Sequence, residues 1–537
     1  MKTVIVGGGA AGASCAARLR RLDETAEILM FEKTEDVSIA NCGLPYYFSG
    51  VIADREDMLV SSPEEFKSLF NIEVKTKSEI TQIDFEKKLV EVNHRETYPY
   101  DKLVLALGAS PIVPPIKGMR NNVFSVRNLN DTDRLKNYVT VNSTKSAVVI
   151  GGGFIGVEMA ENFVHLGIKT TLIEQAPQIL APVDEDMVSF AQNEMRAKGV
   201  NLILGDGVKE FEADYVVLNS GHKVQADVIV LAIGVRPDTK LLKDTVVELN
   251  ERGAVKVNAS MQTSVKDVYA AGDSVEIRDF VSKAPAMIAL AGPANRQGRI
   301  IADNICDKKS IYKDTQGTAV VKVFEMTVAN VGLNERQLKQ KEIAYHKVHI
   351  WGNSHAGYFP DAKPLLLKLL FTNEGQVLGA QGVGYESVEK RIDVIATIMR
   401  LGGKVQDLVD AELCYAPPYA SAKDPVNILG MAASNVLQSD LKLAFYEDVN
   451  DDTFLLDIRP QTAYRANTIH GAEHLHISKL RESLDKLPRD KKIILFCNKG
   501  FNSYLGYRIL KQNGFENVYS LSGGFLFYNE QKKNKSI

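Results

Sequence analysis

The chain has 537 residues, 45% of them hydrophobic and 24% charged, with a formal net charge of −3. At roughly 100–200 residues per domain this length calls for about three or four cores, and the near balance of charge leaves no basic field for nucleic acid and no acidic tail. No apolar stretch reaches the roughly 20 residues of a membrane helix. The N-terminus, MKTVIVGGGAAGAS, runs straight into a strand and a glycine turn with no signal-peptide cleavage pattern, so a soluble cytoplasmic protein is expected. The five cysteines, Cys15, Cys42, Cys306, Cys414 and Cys497, are odd in number and spread along the chain. They form no disulfide framework, and without a CxxC pair no zinc site is expected.

In chain order, TVIVGGGAAGASCAARLRRL…EILMFEK and then AVVIGGGFIGVEMAENFVHLG…TTLIEQ each read strand, glycine turn, helix, second strand, acid. Gly7 and Gly151 open the turns, Gly9 and Gly153 let the backbone approach a pyrophosphate, and Gly12 and Gly156 let helix pack on strand. The helix N-termini offer free N–H groups and a positive dipole to phosphates. Glu32, 20 residues after Gly12, and Glu174, 18 after Gly156, are placed for ribose hydroxyls. A carboxylate at Glu174 repels a 2′-phosphate and Gln175 offers no charge to hold one, so NADH is expected over NADPH. Two such folds imply two dinucleotides.

YDKLVLALGASP (100–111), ADVIVLAIGVRP (226–237) and MQTSVKDVYAAGDSVE (261–276) resemble the strand crossovers and second flavin motif of the flavoprotein disulfide reductases. That resemblance puts FAD on the first turn, NADH on the second, and Asp273 on the FAD ribityl chain. It implies an FAD-binding domain at 1–112 and 247–314, an NAD(P)H-binding domain at 113–246, and an α+β dimerisation domain at 315–440 that makes the protein a homodimer. Residues 435–450, NVLQSDLKLAFYEDVN, read as a polar linker. DDTFLLDIRPQTAYRANTIHGAEHLHI and the later CNKGFNS loop resemble a rhodanese domain, taken as 447–537, whose tail NEQKKNKSI reads as frayed. The expected fold class is α/β: two Rossmann-like domains, an α+β dimerisation domain and an α/β rhodanese domain.

Cys42 lies in SIANCGLPYY (38–47). The superfamily's usual CxxxxC pair is absent, since Val37 and Tyr47 occupy the two possible partner positions, so only one protein sulfur faces the flavin. The single-cysteine branch includes NADH peroxidases, NADH oxidases and coenzyme A disulfide reductases, in which the lone sulfur pairs with an oxygen or with a small thiol. The peroxidase and oxidase members carry an acid histidine in the first glycine turn, where this chain has Ala10 and Ala11. SIANCGLPYY instead resembles the coenzyme A disulfide reductases. For coenzyme A, the candidate contacts are Arg18 and Arg21 on the first helix, Ser38 and Asn41 beside the sulfur, and Lys423. HAGYFP (355–360) and CYAPPYASAKDPVN (414–427) resemble the segments that reach the partner subunit's cysteine. Tyr358 and Tyr419 are the candidate general acids there, with Tyr415 as a competing choice and Phe359 where many relatives have a second tyrosine. Cys15, Cys306 and Cys414 read as packing, and Glu158 reads either as a nicotinamide neighbour or as an ordinary helix glutamate.

Cys497 closes a strand and opens a helix, so loop N–H groups and the helix dipole favour a thiolate and a persulfide anion. The family loop often carries arginine where this chain has Phe501 or Asn502, which argues against thiosulfate as donor. The whole reading is an FAD- and NADH-dependent reductase of coenzyme A persulfide, coenzyme A disulfide or related small-thiol persulfides and polysulfides, with Cys42 as redox centre and Cys497 handling sulfane sulfur. Two alternatives stay open: an NADH oxidase or peroxidase with an appended sulfurtransferase domain, and a non-catalytic redox sensor or sulfur carrier.

Overall fold

The computed structural model describes residues 1–535, and the chain divides into two units, Met1–Ile179 with Gly199–Gly317, and Leu180–Lys198 with Thr318 onward. The first unit holds two five-stranded parallel sheets that share the order of four strands and differ in the fifth, an outer strand that follows the other four in one sheet and precedes them in the other. One runs Val268–Ala270, Lys102–Leu105, Lys2–Val6, Glu27–Phe31, Glu73–Lys75. Its counterpart runs Val123–Phe124, Val228–Leu231, Ser146–Ile150, Lys169–Glu174, Asn201–Leu204. Parallel strands covered on both faces carry continuous apolar runs rather than alternating residues, as residues 4–6 of the strand Lys2–Val6 and residues 147–150 of the strand Ser146–Ile150 do. Each sheet carries a three-stranded antiparallel meander, 80–99 and 208–225. An antiparallel ribbon of Ala109–Pro111 and Val235–Pro237 joins the two crossover segments.

The second unit takes the helix Glu185–Ala197 out of the segment expected to bind NAD(P)H. Asp184, which caps it, receives the Gln381 Nε2 hydrogen bond at 2.7 Å and donates its N–H to Gln381 Oε1 at 2.9 Å. Gln381 belongs to an antiparallel sheet ordered Ala319–Val323, Met326–Gly332, Val377–Gly384, Pro364–Phe371, His346–Asn353. On that sheet the fully buried Lys368 ammonium contacts Asp184 at 2.9 Å, Asp186 at 2.8 Å and Glu335 at 2.5 Å. The three carboxylates are spaced as metal ligands would be, but the ammonium bonds all of them and takes the cation's place. Burial works against the Asp186 charge, yet Lys368 and His349 hold its carboxyl well below the usual range. Glu335 is held down to about 2 by Lys368 and Lys347 against its own burial.

A second sheet in this unit is wholly parallel: Leu443–Ala444, Val518–Leu521, Ile493–Phe496, Phe454–Asp457, Glu473–His474. The expected linker 435–450 is therefore structured. The helix Pro425–Leu437 runs into it, and Leu443–Ala444 is an edge strand too short to show a period of two. The expected frayed tail is helical as well, within Gly524–Lys535. Gln531 anchors that helix by donating to the Asp186 carbonyl at 2.7 Å and the Ser189 hydroxyl at 3.0 Å. The last two residues of the expected tail lie outside the described residues.

Candidate active sites

Both glycine turns are built alike. Gly7 and Gly151 have φ of +102° and +107°, and a Cβ on either would lie 2.2 Å from Ala106 O or 2.4 Å from Ala232 O. A Cβ on Gly12 or Gly156 would sit 1.9 Å from the carbonyl of the turn's own first glycine. Gly9 and Gly153 face open space, with nothing within 4 Å of where a Cβ would stand. The acids close each turn: Gly8 N–H donates to Glu32 at 2.9 Å and Gly152 N–H to Glu174 at 2.6 Å. Open approach at the middle glycine beside a carboxylate is what a dinucleotide requires, so the residues fit two such cofactors. Asp273 follows Gly272, whose N–H donates to Gln297 Oε1 at 2.8 Å. Burial raises its carboxyl, opposed by Arg127.

The Cys42 segment is laid against the first turn. Ser38, at φ +53°, donates its N–H to Gly8 O at 2.9 Å. From there Asn41–Gly43 makes one tight turn into the helix Leu44–Ser49, leaving Asn41 and the free Cys42 exposed. The Cys42 thiol is pushed up by burial of its surroundings and then by the carboxylates of Glu158 and Asp273. Glu158 stands on the helix after the second glycine turn and accepts the Tyr46 hydroxyl at 3.2 Å. Its carboxyl is raised to about 7, chiefly by burial. Tyr47 is tied instead to Asp133 at 2.8 Å.

Glu158 is thus ionised only above about pH 7, and there its charge opposes the Cys42 thiolate. Glu158→Gln removes that charge, so the pH midpoint for iodoacetamide alkylation of Cys42, followed by peptide mass spectrometry, is expected to move lower. An unmoved midpoint would separate Glu158 from the cysteine's chemistry.

Of the expected cations, Arg21 is exposed, whereas Arg18 is engaged by Asp303 at 2.8 Å. The intervening Arg20 is buried and holds the Phe70 and Asn71 carbonyls, a structural role. Cys15 is buried and Cys306 partly so, between the helices Ala10–Leu22 and Ala291–Ile305, as packing predicts.

In the second unit Tyr358 and Tyr419 are 76% and 71% exposed, and Tyr358 shares a 2.7 Å hydrogen bond with Tyr415. Phe359 packs edge-on against His355. Lys423 is exposed beside Asp424, which caps the helix Pro425–Leu437. Sequence reasoning missed the residue that joins these segments: buried Arg391 donates to Ser354 O and to Asp424 Oδ2, both at 2.9 Å. Cys414 is exposed, so its expected packing role fails: it stands in the tyrosine-bearing loop, outside any helix or strand.

Cys497 closes the strand Ile493–Phe496 and is buried. Gly500, at φ +102°, donates its N–H to the sulfur at 3.1 Å, and Ser503 Oγ lies 3.8 Å away. Among the described residues a single backbone N–H therefore reaches Sγ, where a series was expected. Arg459 braces the loop: bound to Asp457, it donates to Asn498 Oδ1 at 3.3 Å and stacks on Phe525. Phe501 is 69% exposed at the loop's end, with Asn502 beside it.

Family models match in the order the fold requires: pyridine nucleotide-disulphide oxidoreductase over residues 1–298, its dimerisation domain over 318–425, and a rhodanese-like domain over 440–531. This chain belongs to the pyridine nucleotide-disulphide oxidoreductase family. It is an oxidoreductase of a family that uses FAD and NAD(H). The oxidoreductase is 35% identical over 439 residues to coenzyme A disulfide reductase of Staphylococcus epidermidis, matching 80% of this chain and 99% of the relative. Its fold matches the crystal structure of a reduced Bacillus anthracis CoADR-RHD at TM-score 0.97 and 44% identity, over 99% of this chain and 98% of that one. An NAD-dependent persulfide reductase from A. fulgidus follows at TM-score 0.93 and 35% identity, covering 98% and 100%. A water-forming NADH oxidase from Lactobacillus brevis is more distant, at TM-score 0.78, 28% identity and coverage of 82% and 99%.

In this oxidoreductase, Glu174→Ala is expected to narrow the NADH over NADPH preference in kcat/KM by about tenfold, since the repelling carboxylate is lost. Steady-state kinetics with both cofactors checks this, and an unaltered ratio would dissociate Glu174 from selectivity.

Proposed function

We propose that the protein reduces coenzyme A persulfide, coenzyme A disulfide or related small-thiol persulfides and polysulfides with NADH. The observation that carries this is Cys42: an exposed, unpaired thiol laid against the first glycine turn, with Ala10 and Ala11 where a peroxide-cleaving acid would stand. Gly7, Gly9, Gly12, Glu32 and Asp273 would hold FAD, and Gly151, Gly153, Gly156 and Glu174 would hold NADH. Bound, these cofactors supply the two electrons that cleave a disulfide.

The Cys42 thiolate attacks the substrate's S–S bond, forming a mixed disulfide with one sulfur and releasing the other as thiolate or sulfide. Two electrons and a proton then return Cys42 to thiolate and free the bound thiol. Tyr358 and Tyr419, with Tyr415 competing, are the candidate proton donors to the leaving sulfur. Ser38, Asn41, Arg21, Arg18 and Lys423 are candidate contacts for the thiol and its phosphates, Arg18 only by exchange with Asp303. Cys497 accepts or presents sulfane sulfur, and the exposed Phe501 and Asn502 favour an organic persulfide over a thiosulfate dianion. The dimerisation-domain match supports a homodimer. No described helix is long and apolar enough to cross a membrane.

The test is anaerobic NADH oxidation with coenzyme A disulfide and persulfide against hydrogen peroxide, and aerobic oxidation without added substrate. Faster turnover with peroxide or oxygen than with either thiol substrate would favour the oxidase reading. Cys497→Ser is expected to leave coenzyme A disulfide reduction unchanged and to slow turnover with polysulfide by about tenfold or more. Full polysulfide activity in that variant would remove Cys497 from the mechanism.

A further inference from the structure

We propose that His349 and Trp351, on the strand His346–Asn353 of the dimerisation sheet, are positioning residues for the Cys497 loop. The link between them is the segment Ser522–Leu526. On one side it lies flush with the sulfur loop: Phe525 N–H donates to Cys497 O at 2.7 Å and Leu526 N–H to Asn498 O at 3.1 Å. A Cβ on Gly524, at φ +66°, would come within 2.6 Å of Cys497 O. On the other side, Trp351 Nε1 donates to Gly523 O at 2.9 Å, and the Ser522 hydroxyl pairs with His349 Nδ1 at 2.9 Å.

His349 is fixed from behind by Asp186 Oδ2, 2.9 Å from Nε2, and Asp186 is fixed by Lys368. With Nε2 donating to the carboxylate, Nδ1 accepts from Ser522. His349, Ser522, Asp186 and Lys368 are all buried, so each bond is strong and costly to break. The order Ser522, His349, Asp186 imitates a hydrolytic triad, but a hydroxyl with 3% exposure meets no substrate. What these groups hold in place is the backbone of the Cys497 loop. Gly500, whose N–H reaches the sulfur, sits in that loop three residues on.

This rests on the reading that Cys497 carries sulfane sulfur. In that step the Cys497 thiolate attacks the outer sulfur of a donor persulfide. A new S–S bond forms to Cys497, the donor's S–S bond breaks, and the donor leaves as thiolate with no net electron change. A small displacement of the loop slows such an attack far more than it weakens donor binding.

The experiment uses the full chain without NADH, following the Cys497 persulfide by mass spectrometry after mixing with coenzyme A persulfide. Trp351→Phe and Ser522→Ala, which leave the charged groups intact, are expected to lower the limiting transfer rate by about tenfold without altering the half-saturating donor concentration. His349→Gln, which keeps only the Asp186 contact, is expected to behave the same way. His349→Asn, which keeps a polar atom toward Ser522, is expected to recover most of the rate. NADH turnover with coenzyme A disulfide is expected to stay at the wild-type value throughout. Wild-type transfer rates in Trp351→Phe and Ser522→Ala would overturn the positioning role alone. A wild-type chain that never forms the Cys497 persulfide would overturn the functional reading and this inference with it.

Discussion

Cys42→Ser is expected to lose NADH-dependent reduction of coenzyme A disulfide by on the order of 10³-fold, because a serine hydroxyl neither ionises near neutral pH nor forms a mixed disulfide. Neither of the other sulfurs in the same packing unit can substitute, since Cys15 is buried and Cys306 partly buried. The loss should fall on kcat and kcat/KM together, since attack by sulfur stabilises only the reacting state. Flavin retention and NADH binding are expected to remain, because the glycine turns do not depend on the side chain at residue 42. Stopped-flow absorbance with the purified variant measures both. Residual thiol-dependent turnover above about a tenth of wild type would mean that another group carries the reduction.

Lys368→Met is expected to cost about 3–5 kcal/mol of stability. It removes the ammonium that contacts Asp184, Asp186 and Glu335 together, leaving three buried carboxylates facing one another. Adding Asp186→Asn and Glu335→Gln to the same chain should recover part of the loss, because the uncompensated charge rather than the missing ammonium is the main penalty. The single tryptophan of the chain, Trp351, stands in the same unit, so its fluorescence during urea unfolding reports on that unit alone. A urea midpoint indistinguishable from wild type would mean that the carboxylates take up protons at no cost.

The sign of the pH dependence follows. Asp186 and Glu335 are depressed in the fold, so their contribution is present above their unfolded values and is lost as pH falls through the folded ones. Lys368 is raised, so its contribution fades only as pH climbs past its elevated value. Asp184, raised chiefly by burial, opposes this trend, so the net expectation is that wild type loses more stability in acid than the triply substituted chain does.

How much was legible in the sequence depended on whether a feature left a local trace. The glycine turns did, because Gly7 and Gly12 are imposed by backbone atoms a few residues away or on the adjacent strand, and the apolar runs beside them marked buried parallel strands. The CNKGFNS loop did through its own spacing of cysteine, glycine and serine, with Gly500 at φ +102°. Arg391 did not: its partners, Ser354 and Asp424, meet only after the dimerisation sheet has formed, and an arginine on an amphipathic helix looks like a surface residue beforehand. Leu443–Ala444 was hidden because two residues have no period. His349 and Trp351 were hidden because their partners, Ser522 and Gly523, lie 173 and 172 residues on. Glu158 reads from sequence as either a nicotinamide neighbour or an ordinary helix glutamate, and Tyr46 as nothing in particular; their hydrogen bond across 112 residues appears only in the folded chain.

The helix Glu185–Ala197 also carries a consequence for synthesis. It leaves the ribosome long before its neighbours, since Lys368 follows Asp186 by 182 residues and Gln531 follows it by 345. At about 5–20 residues per second of translation, Asp186 waits on the order of ten to forty seconds for its cation, and roughly twenty to seventy for the final helix. Meanwhile the strands of both nucleotide-binding sheets, of which Val268–Ala270 comes last in the chain, have all been made. A chain that stalls or is cleaved ahead of residue 531 would leave the Asp186 carbonyl and the Ser189 hydroxyl without the Gln531 amide that closes them.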